Sequence, residues 1–140
     1  VTARRVTSAR DVQRQSTAML QEVDAIWLLP DPLVITPANF HSLRGQAARA
    51  RVPLLSYTES LVEAGALLCV APDRDELGLR AAARMKLVLD EGATPGSLPP
   101  VVPEATRVVL NRDAADAAGL VIDPALMDFV DEVLRQATQR

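Results

Sequence analysis

Apolar residues in this chain fall into short blocks, separated by stretches whose apolar positions recur at helical spacing. Residues 25–29, Ala-Ile-Trp-Leu-Leu, are an unbroken apolar run closed by Pro30. Such a run reads as a buried, central strand of a parallel sheet. Pro30-Asp31-Pro32 then turns the chain, and Thr36-Pro37 opens a helix, with a hydroxyl at the N-cap and proline at the first helical position. That helix, about 37–50, presents Phe40, Leu43 and Ala47 on one stripe and Arg44, Arg49 and Arg51 to solvent. Residues 52–57 form the next strand, followed by a polar loop, Thr58-Glu59-Ser60, a small-residue corner at Ala64-Gly65-Ala66 and an apolar run over 67–71.

The same grammar continues on both sides of this centre. Residues 3–7 are β-compatible, and Ser8 with Asp11 resembles a capping box ahead of a helix carrying Val12, Met19, Leu20 and Val23 on one face. Asp73 with Glu76 caps an amphipathic helix stopped at Gly92. Residues 93–103 hold four of the ten prolines and read as an extended crossing. Residues 108–110 form a strand, 113–118 a short helix ended by Gly119, and Asp123-Pro124 opens a last helix. Its Leu126, Phe129, Val130, Val133, Leu134 and Ala137 give the most regular helical stripe in the chain. Strands alternating with helices through short connections predict an α/β fold: three layers, a mainly parallel sheet flanked by helices, Rossmann-like in architecture.

A chain of 140 residues is one domain by size. A net charge of −3 and the absence of a basic cluster or aromatic platform argue against nucleic acid as a partner. Glycine-rich phosphate loops and a G-x-S-x-G elbow are both missing. His41 is the sole histidine and Cys69 the sole cysteine, so the residues offer no cofactor or metal site, and no disulfide within the chain. Carboxylates at helix ends are accounted for by capping. Two polar loops remain. Asp31 follows one strand and Thr58-Glu59-Ser60 follows its neighbour. Loops at the carboxyl ends of adjacent parallel strands share one sheet edge, where α/β folds bind ligands. From the residues alone, either loop contacts a ligand or ties down a turn.

The ordered motifs carry a resemblance. Asp24-Ala25-Ile26-Trp27 with Asp31 in the following loop, Pro53-Leu54-Leu55, the turn from Val62 to Ala66, the segment from Asp73 to Gly78, Val108-Val109-Leu110-Asn111 and Ala115 to Leu120 are similar, in order and spacing, to the C-terminal half of ABC-importer substrate-binding proteins. The similar family has tryptophan- and tyrosine-type binders among its members, and the resemblance runs over nearly all of the chain. It implies a type I periplasmic-binding-protein-like lobe. Residues 1–66 would be its ligand-cleft part, 67–103 a crossing strand, helix and Pro-rich segment, and 104–140 the returning strand and C-terminal helices. It also implies a non-enzymatic, extracytoplasmic solute carrier serving ABC permease subunits.

Asp31, Pro32, Tyr57, Thr58 and Glu59 would contact a small ligand, and their acidity favours the amino group of an amino acid. Two departures stand out: Pro32 and Thr58 occupy places where the family usually has Asn or Ser, and Asp. The first lobe of the two-lobed family is not in this chain, and the start at Val1 without methionine fits removal of an upstream part. The expected partner is that lobe or a second copy in a homodimer, covering apolar surface on residues 67–71 and the 73–91 helix. The competing readings are a ligand-sensing domain of a signalling protein and a shortened lobe that binds nothing.

Overall fold

The computed structural model describes residues 1–135. Among them, helix α1 spans Ala9–Met19, α2 Pro37–Ala50, α3 Glu59–Glu63, α4 Arg74–Leu89 and α5 Arg112–Ala118. Strands are β1 Ile26–Trp27, β2 Leu54–Ser56, β3 Leu68–Pro72, β4 Thr106–Asn111 and β5 Glu132–Leu134, with 3-10 turns at Pro95–Ser97 and Pro124–Phe129. The five strands form one sheet in the order β1-β2-β3-β4-β5. β1, β2 and β3 run parallel, as do β4 and β5. The end of β4 lies beside the start of β3, where the Asn111 N–H donates to the Leu67 carbonyl at 2.8 Å, so the returning pair runs against the first three strands.

The chain divides into two compact units, 1–70 with 108–140, and 71–107. In the first, local chemistry sets the helix starts: Ser8 accepts from the Asp11 N–H, Thr36 from Asn39 and Asn111 from Ala114. Strand alternation then sorts the side chains. Ile26, Leu28 and Leu54 join Leu20, Phe40, Leu43 and Ala47 in the main core. Leu55 and Leu68 belong to a second cluster around Leu67, Leu110 and Ala115, together with Ile122, Met127 and Val130.

Four sequence expectations change. The 25–29 run is neither central nor wholly buried: β1 is a sheet edge, Ile26 and Leu28 are buried, and Trp27 and Leu29 are 70% and 58% exposed. An unbroken apolar run cannot by itself distinguish a strand covered on both faces from one covered on a single face. Residues 3–7 form no strand. Arg44 is half-buried rather than fully solvated. Its stem lies where a Cβ on Gly65 would sit, and its guanidinium donates to the Ala64 carbonyl at 2.9 Å. Gly65, at φ +111°, alone permits that corner. The last helix is absent, replaced by the 3-10 turn and β5. Asp131 diverts the chain there, its carboxylate taking the Val108 N–H at 2.7 Å while its own N–H bonds the Val108 carbonyl, so Val133 and Leu134 pair in a sheet rather than continue a helical stripe. Ala137 lies outside the described residues.

The two ends of the first unit meet at Asn111, which is 3% exposed. Its Nδ2 donates to the Val62 carbonyl at 2.8 Å, its Oδ1 takes the Ala114 N–H at 3.0 Å, and its backbone N–H is the donor to Leu67. Replacing Asn111 by Ala removes one of the two hydrogen bonds to the buried Val62 carbonyl, which also takes the Gly65 N–H at 3.0 Å, and uncaps α5, at about 0.5–1.5 kcal/mol for each bond lost. We expect the melting temperature to fall by roughly 3–10 °C, read by differential scanning calorimetry, and Asn111→Asp to cost at least as much, because a carboxylate cannot donate to Val62.

The second unit, 71–107, is α4 with the Pro-rich segment folded along it. Asp73 caps the helix and its N–H bonds the Ala105 carbonyl at 3.1 Å. Glu76 pairs with Arg80 one turn on and takes the N–H groups of Ala105 and Glu104 at 3.2 and 3.4 Å, while Arg80 also meets Glu104 at 2.8 Å. Desolvation alone would raise the Glu76 pKa, but Arg80 and the two N–H groups together outweigh it and hold the carboxyl below its usual value. A depressed folded-state pKa gives stability that is present above the ordinary carboxylate range and is lost as pH falls through the folded value. Glu76→Gln should therefore speed amide exchange in α4 at neutral pH, and the difference from wild type should vanish at strongly acidic pH, as followed by hydrogen–deuterium exchange.

Candidate functional site

Parallel pairing of β1 with β2, Trp27 beside Leu55, sends the loops after both strands out of one edge of the sheet. The first loop, residues 28–36, is held from inside. Asp31 Oδ1 takes the Leu33 and Val34 N–H groups at 2.8 and 3.1 Å, and the Asp31 carbonyl takes the Ile35 N–H at 2.8 Å. This is the local aspartate turn that such residues favour. Asn39, 5% exposed, donates from Nδ2 to the Leu33 carbonyl at 2.9 Å and so ties the loop to the first turn of α2. Pro32 needs no donor there, since its neighbours supply the turn's hydrogen bonds.

Asp31 therefore ties down a turn, but with one oxygen. Oδ2 accepts no hydrogen bond among the described residues, and the residue is exposed, as is Pro32. The second loop is shorter than its composition implied. Thr58 is the N-cap position of α3, so Glu59 and Ser60 begin a helix rather than continue a loop. Thr58 Oγ1 and Ser60 Oγ share a hydrogen bond at 3.1 Å. Tyr57, Thr58 and Glu59 are all half-buried. Beneath them Ser56, buried at the end of β2, donates to the Thr58 carbonyl at 3.1 Å, fixing where the chain leaves the sheet.

The sequence reading missed Asn39 and Ser56 as supports of these loops. Both are short polar residues next to strong local signals, a helix cap and an apolar strand, and only their burial reveals their role. A shallow cleft of about 50 Å³ between α2 and α5, lined by Ala47, Ala48, Ala117 and Ala118 with Arg44 at its side, holds none of the candidate residues and is far below the several hundred Å³ of a ligand pocket. His41 is exposed on α2 and Cys69 is 1% exposed in β3. Among the described residues no group of histidine, cysteine and carboxylates could hold a metal ion, and no helix is long and apolar enough to cross a membrane.

A mainly parallel α/β sheet flanked by helices, with two polar loops at one carboxyl edge, defines the class: a Rossmann-like α/β lobe. The particular family follows from comparison. The model of the family described as ABC transporter substrate binding protein matches residues 1–134, and the chain belongs to that family, whose members are binding proteins and not enzymes. It is similar to a tyrosine-binding protein of Clostridioides difficile (strain R20291), 24% identical over 112 residues, which are 80% of this chain and 32% of that protein. Among solved structures it resembles a conserved domain protein from Vibrio cholerae, at 27% identity and a TM-score of 0.72, over 92% of this chain and 43% of the other. It also resembles an ABC domain from Streptococcus pneumonia in complex with L-Trp, at 26% identity and a TM-score of 0.71, over 92% and 44%. A ligand-free, open substrate-binding protein with adhesive properties from Clostridium difficile shares the fold, with a TM-score of 0.75 at 18% identity over 98% and 44%. The chain thus spans less than half the length of these relatives.

If Asn39 holds the Asp31 loop, Asn39→Ala should leave α2 folded and raise amide exchange specifically over residues 33–35. Unchanged exchange there would show that Asp31 orders the loop alone.

Proposed function

We propose that this chain is the ligand-cleft lobe of a solute-binding component of an ABC-type importer, and that its ligand is a small amino-bearing molecule of the aromatic amino acid class. The family membership over residues 1–134 carries this reading. The tyrosine- and L-Trp-binding relatives support the ligand class. In this reading residues 1–66 bear the cleft, 67–103 cross to and from a second body, and 104–140 return. The protein works outside the cytoplasmic membrane and delivers its ligand to permease subunits. A second lobe supplies the opposite lip.

Asp31, Pro32, Tyr57, Thr58 and Glu59 form the lip on this lobe. Asp31 divides its labour: Oδ1 keeps the turn, and Oδ2 accepts from the ligand's ammonium group. Glu59 adds negative charge beside it, the Thr58 hydroxyl offers a polar contact, and Tyr57 and Pro32 give apolar surface for a side chain. A charge-assisted hydrogen bond of this kind contributes about 1.5–3 kcal/mol.

The experiment is a thermal-shift and calorimetric titration with L-Trp, L-Tyr and neutral analogues lacking the amino group, since a ligand that binds only the folded state raises the melting point. Asp31→Asn retains the Oδ1 acceptor for Leu33 and Val34 while removing the charge. It should keep the melting temperature of the unliganded protein and weaken amino acid binding roughly 10- to 100-fold. Equal binding by Asp31→Asn and wild type would remove Asp31 from the site. No shift with any amino acid would sink the ligand class.

A further inference from the structure

The two candidate loops hang from different helices. The Asp31 loop is tied to the start of α2 through Asn39, and Thr58 and Glu59 begin α3. Five residues are too few for a helix to keep its shape alone in water, so the place of the second loop depends on what grips α3. Val62 grips it from within: its side chain is fully buried and its carbonyl takes the Asn111 Nδ2. The C-terminal end is gripped from α2. Arg44 donates from Nη1 to the carbonyl of Ala64, the C-cap residue of α3, at 2.9 Å, and a cation is favoured at a helix C-terminus. Gly65 makes room for that bond. A Cβ there would lie 2.7 Å from Arg44 Cδ, so glycine lets the arginine stem cross the chain at the corner between α3 and β3. Arg44 is half-buried, whereas Arg49, farther along α2, is exposed.

We propose that Arg44 is a positioning residue: by clamping the far end of α3 to α2, it fixes Tyr57, Thr58 and Glu59 relative to the Asp31 loop. The path is short. Asn39 and Arg44 are five residues apart on α2, about 7.5 Å of helical rise, and Thr58 and Ala64 are six apart, about 9 Å. Each stretch is one piece of helix, so the bond at one end of α3 sets where the hydroxyl and carboxylate at the other end stand. Arginine suits the task because its stem packs along the glycine while its guanidinium stays charged and donates. The shallow cleft beside the clamp is lined by Arg44 and Gly65 together, so shortening the side chain widens an existing opening. Arg44 acts through α3 and not on the ligand.

The consequence for a ligand rests on the function proposed above, whereas the clamp itself is tested without one. Arg44→Ala should raise amide exchange over residues 58–66 by roughly 10-fold, as expected for loss of a hydrogen bond from a charged group, and leave residues 33–35 and α1 unchanged. Arg44→Lys keeps a charged donor and should recover part of the protection. Gly65→Ala should loosen the same amides more in the wild-type background than in Arg44→Ala, where the collision with Cδ is gone and only the strain of a positive φ remains. In calorimetric titrations with L-Trp and L-Tyr, Arg44→Ala should bind roughly 3- to 10-fold more weakly, because the ligand must then order the loop, and Arg44→Lys should fall between it and wild type. Circular dichroism melts establish that each variant is folded. Unchanged exchange over 58–66 in Arg44→Ala would overturn the clamp. So would exchange raised evenly along the chain, which would reduce Arg44 to general packing. Equal ligand binding by Arg44→Ala and wild type, with 58–66 loosened, would overturn the positioning role. If wild type binds neither amino acid, the ligand class fails, and the exchange result still decides the clamp.

Discussion

The first unit depends on one buried side chain. Asn111 is where the returning strand stops, and it must stop there because three separate elements need it. Its side chain adds a second donor to the Val62 carbonyl at the end of α3, beside the Gly65 N–H, and gives α5 an acceptor for its first turn, while its backbone N–H serves the Leu67 carbonyl at the start of β3. Asparagine is the residue type that supplies a donor and an acceptor from one short planar group. Val62, Ala66 and Ala115 around it are fully buried, so water cannot substitute. The corner between α3 and β3 is thereby fixed from across the sheet, and with it the level at which β2 and α3 meet. The second candidate loop lies at that junction.

Electrostatics in the candidate site works on a division within single groups rather than on a cluster. Asp31 is exposed, so its charge is cheap to keep, and its loop is rigid because the same carboxylate binds two backbone N–H groups. In the proposed site, a loop held this way would not have to be ordered by the ligand. The supports at Asn39 and Ser56 serve the same end from below.

Much of the fold was legible in the sequence, and the failures have identifiable causes. Helix starts at Ser8, Thr36 and Asp73 were marked by local chemistry, which acts over four residues and survives any tertiary context. The Gly119 stop and the Phe40-Leu43-Ala47 stripe were likewise local. Failures came where the answer is set at a distance. Whether the face of β1 bearing Trp27 is covered depends on which elements pack over it, and the run of residues is the same either way. The 124–134 stretch satisfies a helical stripe, but pairing with β4 and the bond from Asp131 to Val108 overrode it. In the site, Asp31 was visible because prolines frame it, whereas the roles of Asn39 and Ser56 exist only once α2 and β2 have been brought under the loops.

The bond from the Asp73 N–H to the Ala105 carbonyl also bears on the order in which the molecule can assemble. The contact of Asn111 with Val62 spans 49 residues, and closing a flexible loop of that length costs about 3.4 kcal/mol in chain entropy on the logarithmic scale. Once Asp73 and Ala105 have met, the interior of that loop is already spoken for, and only roughly 17 residues remain to be closed, at about 2.5 kcal/mol. The excursion acts as its own staple, so an assembly route in which α4 and the Pro-rich segment join first brings β4 back to the sheet at a lower entropic barrier than a route that recruits the distant strand directly.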